Sequence, residues 1–134
     1  MASQGNTDQV LQTGRIGYGT DGTHFYPLKV DSSGRQISGD GAYTTPTHTQ
    51  PTVGATTTAV LAANANRLYA LIVNDSDEVI YIYLGGNAVM NRGIRINASG
   101  GSYEMSKNLG NLYTGVINGI CTSGGKVALV LEGV

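Results

Sequence analysis

Three acids fall within four positions of "RLYALIVNDSDEVIYIYLGG" (67–86): Asp75, Asp77 and Glu78. Oxygen ligands so close together could hold a hard cation, and paired carboxylates could do general acid/base work. The spacing fits neither. Counted from Asp75, an EF-hand calcium loop is matched at its third position by Asp77, but Val79 and Ile80 stand where an oxygen ligand and the turn glycine are required. Acid/base catalysis needs two carboxylates held apart in a cleft, their pKa values pushed in different directions. Adjacent acids at a hairpin tip are expected to stay solvated and ionised. "NDSDE" is also good turn chemistry, because Asn and Asp bond to their own backbone and tolerate left-handed conformations. The segment reads as a charged turn.

The other reactive residue types are scattered. His24 and His48 have no Cys or carboxylate beside them at metal-ligand spacing, so each reads as a surface or contact residue. Cys121, the single cysteine, lies in the apolar run "INGICTSGG" and reads as a small buried hydrophobe, with no histidine near it in sequence to form a thiolate pair. Ser99 and Ser123 stand next to glycines without the G-x-S-x-G pattern of a nucleophile elbow. "GGK" (124–126) is followed by Val127 and lacks the earlier glycine of a phosphate loop, while "GRIGYG" (14–19) has no strand before it or helix after it. No catalytic, cofactor-binding or metal residue is assigned, and the expectation is a non-enzymatic protein that binds or builds.

Composition narrows the partners. The 134 residues suffice for one domain with an arm, and for a core that needs no disulfides. Only 13% are charged and the net charge is −1, far from the basic footprint of a nucleic-acid binder. The start "MASQGNTDQV" has no basic or apolar signal-peptide region, and no apolar run approaches the roughly 18–20 residues of a membrane span. The chain is therefore expected to be soluble where it is made.

The elements that must position any site are strands. Residues 1–52, rich in Gly, Ser, Thr, Gln and Pro, read as an extended arm, too poor in apolar groups to order a core of their own. Within it "THFYPLKVDSSGRQI" carries Phe25, Leu28, Val30 and Ile37 around the turn signal "DSSG" (31–34), which predicts a short strand or hairpin near 24–37. From residue 53 to 134 seven strand-length runs follow, at 56–63, 67–74, 78–85, 93–97, 101–106, 113–122 and 126–133, separated by Gly/Asn/Ser turns. No helical period intervenes; "GNAVMNR" could form at most one turn. The pattern predicts an all-β, antiparallel sandwich or barrel. In "LYALIV" and "VALVL" both alternate faces are apolar, so the outer face of those strands needs a cover, from a second layer, a partner subunit or the arm. In "VIYIYLGG" Ile80, Ile82 and Leu84 share one face and Tyr81 and Tyr83 the other, which is either an interface or a core margin with partly exposed rings.

The segments "HFYPLKVDSSGRQ", "NRLYALIVNDSDEVIYIYLGG" and "GIRINASGGSYEMSKNLGNLYTGVINGICTSGGKVALVLEG" resemble the small virion structural proteins of tailed bacteriophages, over most of the chain from about residue 24. The shared features are turn-and-strand signatures and not a catalytic fingerprint. The resemblance implies a β-sandwich of the jelly-roll type, carried on the capsid as a decoration (cement) protein or at the tail as an accessory or fibre component. A host-surface glycan is the other ligand class it brings forward, against which the absence of Trp counts. The expected partner is the major capsid protein or another virion protein, with a homo-oligomer, a trimer suiting capsid threefold positions, and no nucleic acid, membrane or cofactor. The expected location is the virion exterior, after synthesis in the host bacterial cytoplasm. Candidate interface residues are Phe25, Tyr26, Leu28 and Val30 in the arm, either an anchor or a small strand of the sandwich's own sheet, and Tyr81 and Tyr83 on the sandwich.

Overall fold

Residues 17–20, 25–28, 32–34 and 42–134 are described by the computed structural model. The chain divides into two units, Met1–Gly39 and Asp40–Val134. In the first, β1 (Gly17–Thr20) and β2 (Phe25–Leu28) pair antiparallel, with Gly17 opposite Leu28 and Thr20 opposite Phe25. The short strand expected here pairs with the residues before it, across an Asp-Gly turn signal in the sequence at 21–22; the far side of "DSSG" lies outside the described residues. Phe25, Tyr26 and Leu28 lie in β2, whereas His24 and Val30 fall outside the described residues.

The second unit is built of strands, with no helix among the described residues. Each of the seven runs holds one: β5 (Thr58–Leu61), β6 (Tyr69–Asn74), β7 (Ile80–Leu84), β8 (Ile94–Ile96), β9 (Ser102–Ser106), β10 (Ile117–Ile120) and β11 (Lys126–Gly133). Two short strands precede them, β3 (Pro46–Thr49) and β4 (Thr52–Val53), which composition alone places in the arm. Both pair with β11 in one continuous register, Thr49 opposite Val130 and Thr52 opposite Val127. They form a single edge strand interrupted at Pro51, which has no N–H to give; its carbonyl still accepts from the Ala128 amide at 3.1 Å. The boundary expected at residue 52 thus falls inside an edge strand. Its first part looks arm-like because all four residues of β3 are exposed, whereas Val53 in β4 is buried in the core.

Four strands form one antiparallel sheet in the order β5-β10-β7-β8, and β3, β4, β11, β6 and β9 form the other, in the order β3-β11-β6-β9 with β4 also on β11. The pairs nest around the β7–β8 hairpin: β6 with β9, β5 with β10, β3/β4 with β11. Side chains of both sheets meet in one apolar core, Ala70, Ile72, Met105 and Val130 from one, Val60, Ile80, Ile82 and Ile117 from the other. Period-two alternation assigns the faces: Ile80 and Ile82 are fully buried, and Tyr81 and Tyr83, alternating with them, point outward, half-buried. Gly119 lies opposite Ile82 because a Cβ there would stand 2.6 Å from Val60 of the neighbouring strand.

A buried arginine closes one end. Arg67 is 1% exposed, its Nε bonding Glu132 at 2.7 Å while its two terminal nitrogens donate to the carbonyls of Tyr113 at 2.6 Å, Gly115 at 3.2 Å and Ala62. One planar guanidinium thereby satisfies the segment after β5, the segment before β10 and the end of β11. At the other end the buried amide of Asn74 gives its Nδ2 protons to the carbonyls of Glu78 (2.6 Å) and Ile96 (3.1 Å), and its Oδ1 accepts from Ser76.

Candidate functional site

The acidic segment is a crossover and not a hairpin tip: β6 and β7, which it joins, lie in different sheets. Asn74 shapes it, and its acids are partly paired. Asp77 meets Lys126 Nζ at 2.5 Å, with Glu78 at 3.9 Å from the same nitrogen. Glu78 also accepts from the Ser123 amide at 3.0 Å and from the Ser123 hydroxyl. Ser123 holds the Glu78 carboxyl below its ordinary value, and Lys126 does the same for Asp77. Both stay ionised, as the sequence implied; of the three acids in the segment, Asp75 is the exposed one without such a partner. Because Ser123 lies in the β10–β11 connection and Lys126 opens β11, the group is a clasp between the β6–β7 crossover and the end of the β10–β11 one. No three His, Cys, Asp or Glu among the described residues are placed to hold a metal.

The outer face of the five-stranded sheet is different in kind. Register aligns its side chains in cross-strand rows: His48–Leu131–Leu71–Glu104, and beside it Leu129–Val73–Ser102. Leu71, Val73, Leu129 and Leu131 stand at its centre, half-buried, and with His48 and Gln50 on the rim they line a groove of about 570 Å³. The doubly apolar strands of the sequence therefore leave an aliphatic face on the outside of the sheet.

The next row holds Gly133, Tyr69 and Ser106. Gly133 has no side chain, and the ring of Tyr43 occupies the space a Cβ would need. From there Tyr43 stacks on Tyr69, ring centroids 5.2 Å apart and planes at 29°. On the β9 side, Glu104, Asn108 and Leu109 form the opposite wall of a second groove, of about 480 Å³. That wall is braced from behind: Asn111 accepts from the Ser106 amide at 2.9 Å and donates to the Glu104 carbonyl at 2.9 Å, while Ser106 Oγ accepts from the Leu109 amide at 3.1 Å. Burial first, then the Glu104 carboxylate, pushes the Tyr69 phenol above its ordinary value.

Of the residues singled out in the sequence, Tyr81 and Tyr83 lie on the other sheet. Tyr81 is opposite Arg95 on β8 and its hydroxyl donates to Asn91 at 2.8 Å; Tyr83 packs over Gly93. Neither borders the two grooves. Cys121 is fully buried, its thiol 3.4 Å from the carbonyls of Val53 and Gly54. His48 does reach a groove, through strand register that sequence spacing does not reveal. Sequence reading overlooked Tyr43, Tyr69 and Glu104. The available signal was Tyr43 itself, the single Phe or Tyr between residues 27 and 68. No family model, no curated protein and no solved structure matches the chain.

Proposed function

We propose that the chain is a non-enzymatic structural protein of a tailed-bacteriophage virion, a capsid decoration (cement) protein that binds the capsid exterior. It attaches through the aliphatic outer face of the five-stranded sheet, and its N-terminal arm ties neighbouring subunits. The carrying observation is the outward quartet Leu71, Val73, Leu129 and Leu131 beside an exposed edge strand. An antiparallel sheet normally turns polar groups to water, and a contiguous aliphatic face is covered by a protein neighbour in the working state. The nested strand pairs, with the chain changing sheet at every connection in the second unit except β3–β4 and β7–β8, support a jelly-roll sandwich, an architecture used in viral shells. The resemblance at the level of strand and turn motifs supports the virion setting. The partner is the major capsid protein, the working form a homo-oligomer with a trimer favoured, and the protein is made in the host cytoplasm before joining the particle.

The test is binding to empty capsids that lack the protein, with solution mass measured alongside. Full-length protein, a form beginning at Ala42 that keeps β3, and Leu129→Asp are compared. Saturable binding by an oligomer, lost without the arm and weakened at least about tenfold by the buried charge, supports the reading. No capsid binding refutes it and moves the protein to the tail or fibre, as an accessory module against another virion protein or the host surface.

A further inference from the structure

We infer that the groove between the Tyr43–Tyr69 pair and the β9 wall is a binding site for a neutral saccharide. It goes beyond the attachment reading and uses different side chains from the aliphatic quartet. The groove offers three kinds of group together: aromatic surface from two stacked tyrosines, a carboxylate on Glu104, and the amide of Asn108. Tyr43 is 36% exposed and Leu109 64% exposed, so the apolar margin lies open to solvent. Glu104 makes no ion pair among the described residues; its carboxylate accepts from the Tyr69 hydroxyl and keeps further lone pairs for a ligand, and the Asn108 side chain makes no hydrogen bond there.

The ligand class follows from that inventory. A pyranose ring has an apolar C–H face that lies against a phenol ring, and vicinal hydroxyls around its rim. Adjacent hydroxyls donate as a pair to one carboxylate, and an amide serves whichever neighbour needs a donor or an acceptor. An anionic sugar or phosphate would meet Glu104, with no cationic side chain lining the groove to offset it. A quaternary ammonium wants aromatic faces arranged as a box, and these two rings stack on each other at 29° and so do not form its walls. The site is also pre-organised. Ser106 and Asn111 fix the β9 wall, and the missing side chain of Gly133 seats Tyr43, so little ordering is required on binding.

The experiment is saturation-transfer NMR on the full chain with four probes: maltotriose, triacetylchitotriose, sialyllactose as the anionic control and choline as the cationic one. Tyrosine fluorescence gives the affinity, since the chain has no tryptophan. Transfer to the ring C–H protons of at least one neutral trisaccharide is expected, with binding weakened about tenfold or more in Glu104→Gln, which keeps shape and removes charge, and in Tyr43→Ala. Glu104→Gln guards against Tyr43→Ala failing through misplacement of the chain before β3. The inference is overturned if neither neutral trisaccharide binds, if sialyllactose or choline binds more tightly than both, or if the affinity is the same in Glu104→Gln as in the natural chain.

Discussion

Replacing Arg67 by Met should remove a large share of the stability of the two-sheet unit. The substitution keeps an apolar stem of similar length and deletes the guanidinium, so packing near the backbone is conserved and the loss is electrostatic. Glu132, whose side chain is 17% exposed, then keeps a charge with no partner, and the carbonyls of Ala62, Tyr113 and Gly115 each lose a donor. Breaking a buried pair in this way costs roughly 3–5 kcal/mol, against a total of about 5–15 kcal/mol for a domain. At about 4–8 °C per kcal/mol for a unit of this size, the melting temperature should fall by roughly 12–40 °C. Glu132→Gln leaves Arg67 its three carbonyls and a neutral acceptor for Nε, and should cost less than Arg67→Met. The double variant should be more stable than Arg67→Met alone by roughly 1–2 kcal/mol, because no unpaired carboxylate remains. Urea unfolding followed by circular dichroism gives all three values, with an unchanged m-value as the check that the unfolded state is comparable. An Arg67→Met cost below about 1 kcal/mol, or a double variant no better than the single one, would refute the assignment of Arg67 as the pin between the three segments.

The clasp predicts an acid-sensitive stability. Folded Glu78 and Asp77 have pKa values below their ordinary 4.5 and 3.8, so their contribution is complete above those values and is lost as pH falls through the lowered ones. Ser123→Ala should flatten the Glu78 part of that decline and Lys126→Met the Asp77 part, measured by denaturant unfolding across the acid range. Gly93 has φ +79°, and a Cβ there would press on the Ile82 carbonyl and stand 2.7 Å from the Tyr83 ring. Gly93→Ala should therefore cost about 1–3 kcal/mol, more than Gly110→Ala, where φ is +74° but nothing lies within 4 Å; equal costs in thermal melts would show that the contacts are relieved by movement. In a site-resolved NMR titration, Glu104→Gln should lower the Tyr69 pKa toward 10.0 without reaching it, because burial is the larger cause and remains.

The sequence by itself determined the all-β class and the location of the main strands, because period-two alternation and Gly/Asn turns are local properties of the chain. The run at 126–133 coincides with β11, and the Ile80/Ile82 and Tyr81/Tyr83 faces are as the alternation reads. It also determined that β6 and β11 carry apolar groups on both sides. What it could not supply was partnership. "NDSDE" between two apolar runs reads as a hairpin, yet β6 and β7 lie in different sheets: β6 pairs with β9 and β11, and β7 with β8 and β10. The edge strand at 46–53 was hidden because its exposed first half and the proline that breaks it have the composition of an arm. The stacking of Tyr43 on Tyr69, the placing of Glu104 across from them and the pinning of three segments by Arg67 were decided only in the tertiary structure. Alternation sets which way a side chain points from its own backbone, whereas the register between strands, a sum over contacts distant in sequence, sets what it meets.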